Sequence, residues 1–158
     1  MLNNLIKKAY QWAQKKSLWV MHFNSGSCNG CDIEILDLFT PRYDVERLGI
    51  LVEASPRHAD VLLVTGPVTR QAKDGLWQIY TQMPSPKWVV AVGSCSSTGG
   101  IFANSDTVLG GVDKILPVDV YIPGCPCRPE AVINGLLKLQ ERISINGDDR
   151  PENFANRD

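Results

Sequence analysis

The chain has 158 residues, of which 44% are hydrophobic and 21% charged, and its formal net charge is −1. That length supports one domain with a real core, and the near-neutral balance leaves nucleic acid no electrostatic footprint to bind. The longest apolar runs, Val61–Val64 and Trp88–Val92, fall far short of the ~20 residues a membrane span needs.

Residues 1–16 (MLNNLIKKAYQWAQKK) predict an amphipathic helix. Leu2, Leu5, Ile6, Ala9 and Ala13 share one stripe, with Lys7, Lys8, Gln11 and Lys15 opposite. Such a basic helix suits a membrane surface or a partner, and equally suits packing on its own domain. Lys7 and Lys8 also interrupt the one segment that resembles an export signal. A cytoplasmic chain is therefore expected. Thiols stay reduced there, so five cysteines predict metal or redox chemistry in place of a disulfide framework.

Leu18–Asn24 reads as a strand, Asp32–Thr40 as a helix ended by Pro41, and Arg47–Ala54 as a weaker second strand. Ala59–Gly66 is a continuous apolar run of the kind a strand buried on both faces requires. Arg70–Met83 predicts a helix despite Gly75. Lys87–Ser94 and Val118–Gly124 predict two more buried strands, and Pro129–Ile143 a helix with proline in its first turn. This alternation predicts an α/β fold, a doubly wound parallel sheet with flanking helices over residues 17–143. The polar tail, residues 144–158, lacks periodicity and is expected to be disordered alone or extended over a partner.

Cys28 and Cys31 follow the first strand, Cys95 follows the strand at Lys87–Ser94, and Cys125 and Cys127 follow the strand at Val118–Gly124. In an open parallel sheet every strand C-terminus lies along one edge. The loops at 25–31, 93–100 and 123–128 are therefore expected to meet, with no cysteine in a helix body or mid-strand. Gly26, Gly30, Gly93, Gly99, Gly100 and Gly124 let backbone N–H groups in these loops turn toward an anion. Cys31 is expected at a helix N-terminus, where the dipole favours a thiolate or an anionic cluster. Four thiolates with N–H donors facing the sulfurs is how a [4Fe–4S] cluster is held.

Two other readings compete for these cysteines. A thioredoxin-like pair explains Cys28 and Cys31 but leaves Cys95 and Cys125 as coincidences at the same edge. Structural zinc usually pairs two CxxC knuckles at modest separation, whereas Cys31 and Cys95 are 95 − 31 = 64 residues apart. A dinucleotide or P-loop domain has no support, since neither GxGxxG after the first strand nor GxxxxGK[ST] occurs.

The stretches SGSCNGCDIEI, TPRYDVERLG, SPRHADVLLVTGPVT, GSCSSTGGIF and VDVYIPGCPCRPEA occur in that order over residues 17–143. In them the chain resembles the small subunit of energy-converting, membrane-bound [NiFe] hydrogenases of the Ech, CO-linked and archaeal membrane-bound types. That family is homologous to the complex I subunit holding the terminal cluster. The resemblance implies a flavodoxin-like fold and one [4Fe–4S] cluster on Cys28, Cys31, Cys95 and Cys125. It implies an electron-transfer subunit, with no bond chemistry of its own, in an oxidoreductase complex on the cytoplasmic face of the membrane. The implied partners are a [NiFe]-hydrogenase-like large subunit, a ferredoxin-like iron–sulfur subunit, membrane-arm subunits that pump ions, and ferredoxin as donor. The same module would serve a sulfane sulfur reductase or a complex I-like enzyme. The first cysteine pair is CxxC, where complex I relatives have adjacent cysteines. Where the family usually reads PGCPPRPE, this chain has Cys127 in place of a proline. Side chains two apart in extended backbone point opposite ways, so Cys125 is the expected ligand and Cys127 a buried thiol nearby.

Around these ligands, Glu34 lies one helical turn after Cys31 and reads either as facing the cluster or large subunit, or as ordinary dipole compensation. Arg128 reads as an offset to cluster charge or a plain surface arginine. His22 is expected to be a hydrogen-bonded core histidine, and Arg57 and His58 a cap or interface patch. Trp12, Trp19, Trp77 and Trp88 are expected to be core or interface anchors.

Overall fold

The computed structural model describes residues 12–13 and 16–146. The predicted helix over 1–16 and most of the 144–158 tail lie outside the described residues; of the former, Trp12, Ala13 and Lys16 are helical.

Five strands build the main sheet: β1 (Leu18–Asn24), β2 (Ile50–Val52), β3 (Val61–Thr65), β5 (Trp88–Val92) and β7 (Val120–Ile122). All pair in parallel, in the order β2-β1-β3-β5-β7. Counting only these strands, that is the flavodoxin-like order 2-1-3-4-5. A small antiparallel sheet pairs β4 (Val68–Thr69) with β6 (Val108–Gly110). Besides the helical Trp12, Ala13 and Lys16, the described residues form the helices α1 (Gly30–Asp37), α2 (Arg70–Gln82), α3 (Ser94–Thr98) and α4 (Pro129–Asn146). No described helix is long and apolar enough to cross a membrane.

Side-chain alternation along the central strands makes two cores. Val61, Leu63, Val90 and Val92 face α1 and α4, packing on Ile35, Leu38, Val132, Leu136 and Leu139. Leu62, Val64 and Val89 face the other way, onto Leu76 of α2 and onto Val112 and Leu116. Every residue of β3 and β5 is buried. At ~1.5–3 kcal/mol per buried Val or Leu side chain, these two strands dominate the favourable side of folding. The N-terminus of α2 is closed by Thr69, whose Oγ1 accepts from the Ala72 N–H at 3.2 Å.

Four elements differ from expectation. The span Arg47–Ala54 contains only the short β2, because Val45–Leu48 first forms a 3₁₀ turn ended by Gly49 at φ 80°. Val118–Gly124 contributes β7 as an edge strand, with Tyr121 48% exposed, and not as a buried one. Helix α4 runs on to Asn146, three residues past its expected end. Cys31, the second residue of α1, sits at a helix N-terminus as expected, whereas Cys95 is the second residue of α3, a short helix where a loop was expected.

Candidate metal centre

The three cysteine segments leave β1, β5 and β7 at the C-terminal edge of the sheet and are tied to one another. Gly93 donates its N–H to Ile122 O at 2.8 Å, and Ser94 donates to Gly124 O through both its N–H (2.9 Å) and its hydroxyl (3.1 Å). These bonds join the second segment to the third. The first segment is fixed to the end of β3, where Ser25 donates its N–H and hydroxyl to Thr65 O at 2.9 and 2.8 Å. A Cβ built on Gly30 would lie 3.5 Å from Pro126 Cβ, which puts the start of α1 against the third segment.

Two glycines make room for sulfur. A Cβ on Gly93 would fall 2.8 Å from Cys31 Sγ, and one on Gly100 would fall 2.9 Å from Cys95 Sγ. Both glycines also hold positive φ, 96° and 54°, so any side chain there would be strained as well as crowded. Cys31 and Cys95 are half-buried; Cys28 and Cys125 are exposed. Burial pushes the Cys95 thiol up first, and the neighbouring Cys125, Cys28 and Cys31 thiols push it further. Cys31 is instead held low, at about 6, chiefly by a hydrogen bond with the Cys127 side chain, against burial and the nearby Asp32 and Glu34 carboxylates. That same bond, then burial, drives Cys127 upward.

The donor set fits an anionic cluster of iron and sulfide. Asn29, at the N-terminus of α1, makes no side-chain cap bond, so the first backbone N–H groups of that helix are left for an anion at this edge. A single tetrahedral ion would need the sulfurs about 3.8 Å apart, given metal–sulfur bonds of ~2.3 Å. Among the described residues no group of three or more His, Cys, Asp or Glu side chains is arranged to hold a metal ion. A cluster places several irons between the thiolates and spans a wider gap.

The structure brings Cys28, Cys31, Cys95 and Cys125 to one edge and leaves other named residues apart. Cys127 is buried beneath them, at 1% exposure. Glu34 is half-buried and close enough to act on both Cys31 and Cys127. Arg128, Arg57 and His58 are exposed. Trp88 is core, whereas Trp12, Trp19 and Trp77 are 61%, 38% and 39% exposed.

One group escaped the reading of the sequence. Asp32, buried beside Cys31, accepts from Asn24 Nδ2 at 2.7 Å, from His22 Nε2 at 2.8 Å, and from the Thr65 hydroxyl. Asn24 also accepts from the N–H groups of Gly26 and Ser27, at 2.9 and 2.8 Å. His22 is therefore a hydrogen-bonded histidine at the rim of the core, half-exposed and not fully buried. The usable signal was the strand period: His22 and Asn24 are two apart in β1, share a face, and meet the first turn of α1.

Comparison with known proteins places this edge in context. Residues 28–139 match the family model described as NADH ubiquinone oxidoreductase, 20 Kd subunit. A probable membrane-bound hydrogenase subunit of Pyrococcus furiosus is 51% identical over 139 residues, 87% of this chain and 83% of that protein. A subunit of the NADH-quinone oxidoreductase of Citrifermentans bemidjiense is 47% identical over 133 residues, 84% and 76% of the two chains. Among solved structures, a chain of the membrane-bound sulfane sulfur reductase, an archaeal respiratory membrane complex, superposes with TM-score 0.78 at 44% identity. It covers 88% of this chain and 77% of that one. A chain of an NAD⁺-reducing [NiFe]-hydrogenase matches in fold, with TM-score 0.63 at 18% identity over 90% and 99% of the two chains. The family model and the relatives span the segments that carry all four exposed or half-buried thiols. The chain belongs to the family of the 20 kDa subunit of NADH–ubiquinone oxidoreductase.

Proposed function

We infer that this chain is the electron-transfer subunit of a membrane-bound, ion-pumping hydrogenase complex, carrying one [4Fe–4S] cluster on Cys28, Cys31, Cys95 and Cys125. The observation that carries the reading is the meeting of three cysteine segments at one sheet edge, with Gly93 and Gly100 cleared for the sulfurs of Cys31 and Cys95. When bound, the cluster supplies a one-electron relay. The chain holds the thiolates at fixed spacing, offers the first-turn N–H groups of α1 to the bound anion, and keeps its sheet side dry through Val92, Ile122 and Cys127. A thioredoxin-like pair would use Cys28 and Cys31 alone and would give no role to the clearance at Gly100 beside Cys95.

Electrons would come from ferredoxin through clusters of a ferredoxin-like subunit and pass on to the [NiFe] centre of a large subunit. Cys28 and Cys125 are exposed, and Ile33 (65%), Leu36 (68%) and Ile101 (90%) are exposed apolar residues on or beside the same segments. Such a surface suits a covering subunit. The chain would be peripheral, held at the cytoplasmic face by its partners. The 51% identity to a probable membrane-bound hydrogenase subunit favours hydrogenase chemistry. The 44% identity to the sulfane sulfur reductase chain supports a second reading, the same relay in a reductase or complex I-like enzyme.

Two tests separate these. The neighbouring large-subunit gene should encode two CxxC pairs for nickel; their absence would favour the second reading. The purified complex should evolve hydrogen from reduced ferredoxin and lose that activity in Cys95→Ser. A complex that reduces sulfane sulfur or quinone and evolves no hydrogen would overturn the hydrogenase assignment.

A further inference from the structure

Between Asn24 and Asp32 the chain reads SGSCNGC. Two glycines and two serines give such a segment little preference for one path of its own, yet it carries Cys28 and Cys31. Its two ends are fastened, by Ser25 to the end of β3 and by Asp32 to His22 and Thr65. The middle is held chiefly by one side chain. Asn24 Oδ1 accepts from the N–H groups of Gly26 and Ser27 at 2.9 and 2.8 Å, and its Nδ2 donates to Asn29 Oδ1 at 3.3 Å and to Asp32 Oδ2 at 2.7 Å.

A side-chain amide has a carbonyl that takes two hydrogen bonds and an NH2 group that gives two. Asn24 spends all of them on this one segment, on both sides of Cys28. The bond onto the Asp32 carboxylate is the strongest of the set. Burial does not force the arrangement: Asn24 is exposed, and water would satisfy the same groups if the segment moved away. Its bonds therefore act on the path of the segment more than on the stability of the fold. We propose that Asn24 is a positioning residue for the cluster: by fixing Gly26, Ser27, Asn29 and Asp32 it holds Cys28 and Cys31 in the arrangement that binds, and thereby sets how long the cluster is retained. The proposal rests on the cluster reading above. A thiolate on a loose segment swings away from its iron and is replaced, whereas one oriented by fixed outer contacts returns to it.

The test is the rate at which a ferrous-iron chelator strips iron from the reduced, purified complex, measured beside the thermal unfolding midpoint of each sample. Asn24→Ala should lose iron severalfold faster than the parent at an almost unchanged midpoint. Asn24→Asp keeps the acceptor for Gly26 and Ser27 but faces the Asp32 carboxylate, and it should also lose iron faster. Adding Asp32→Asn to Asn24→Asp reverses donor and acceptor across that pair and should slow the loss below the rate of Asn24→Asp alone. An Asn24→Ala rate equal to the parent's would overturn the proposal, as would a paired variant no slower than Asn24→Asp. A midpoint lowered in step with the faster loss would make Asn24 a general stabiliser and would overturn it too. A parent complex without iron and acid-labile sulfide would instead overturn the cluster reading itself.

Discussion

β3 and β5 bury every side chain they carry, whereas the segments that leave β1, β5 and β7 at one edge expose Cys28 and Cys125 and only half bury Cys31 and Cys95. The interior is held by unspecific apolar contact that tolerates exchange of similar volumes. The edge is held by a small number of directed bonds, such as those of Ser25, Asn24, Asp32 and Ser94, and by glycines whose missing Cβ atoms are filled by sulfur. The difference predicts that damage to the interior lowers stability and leaves the edge chemistry alone, while damage to the edge does the reverse.

The largest effects are expected at the edge. Cys95→Ser should abolish the cluster's EPR signal in the complex while the far-UV circular dichroism of the chain stays near the parent's. A retained, unchanged signal would remove Cys95 from the ligand set. Gly93→Ala should follow closely, because the new methyl would meet Cys31 Sγ at 2.8 Å on a backbone at φ 96°; iron content should fall severalfold. Leu63→Ala tests the interior. It removes a fully buried side chain from the core and should cost about 2–5 kcal/mol in denaturant unfolding, with the iron content of the folded fraction unchanged. Loss of iron in that folded fraction would break the proposed separation of the two regions.

Asp32→Asn probes the boundary between them. The buried carboxylate loses charge and leaves at least one of its three donors poorly matched, so a cost of about 1–3 kcal/mol is expected. The EPR line shape should broaden as the first turn of α1 loosens. The smallest effect belongs to the surface, where the Tyr43 hydroxyl donates to Glu130 Oε1 at 2.8 Å. Glu130 is held below the usual carboxylate range, first by a backbone N–H and then by Tyr43. A lowered folded value stabilises above the unfolded value and is lost as pH falls through the folded one. The thermal midpoints of parent and Tyr43→Phe should therefore differ slightly near neutral pH and converge in acid.

The α/β class, the parallel sheet and the gathering of the cysteine segments were legible because their signals are local. A continuous run such as VLLVT reads as a strand buried on both faces wherever it occurs. The edge position of β7 was not legible, since Val120, Tyr121 and Ile122 have the composition of a central strand and only the strand order exposes Tyr121. Helix α3 was missed because Ser-Cys-Ser-Ser-Thr has weak helix propensity. The Ser96 and Ser97 hydroxyls hold it by bonding back to Gly93 O, each at 2.9 Å. The pairing of β4 with β6 involves strands of two and three residues, too short to show a period. Asp32 stayed hidden because its partners come from β1 and β3, and no spacing within SGSCNGCDIE reports them.

The most direct test of the ligand set is an iron-edge anomalous difference map of the purified complex. The account predicts one compact iron peak at the C-terminal edge of the sheet, within bonding reach of the sulfurs of Cys28, Cys31, Cys95 and Cys125. Iron elsewhere, or a single zinc ion at these thiols with no iron signal, would contradict it.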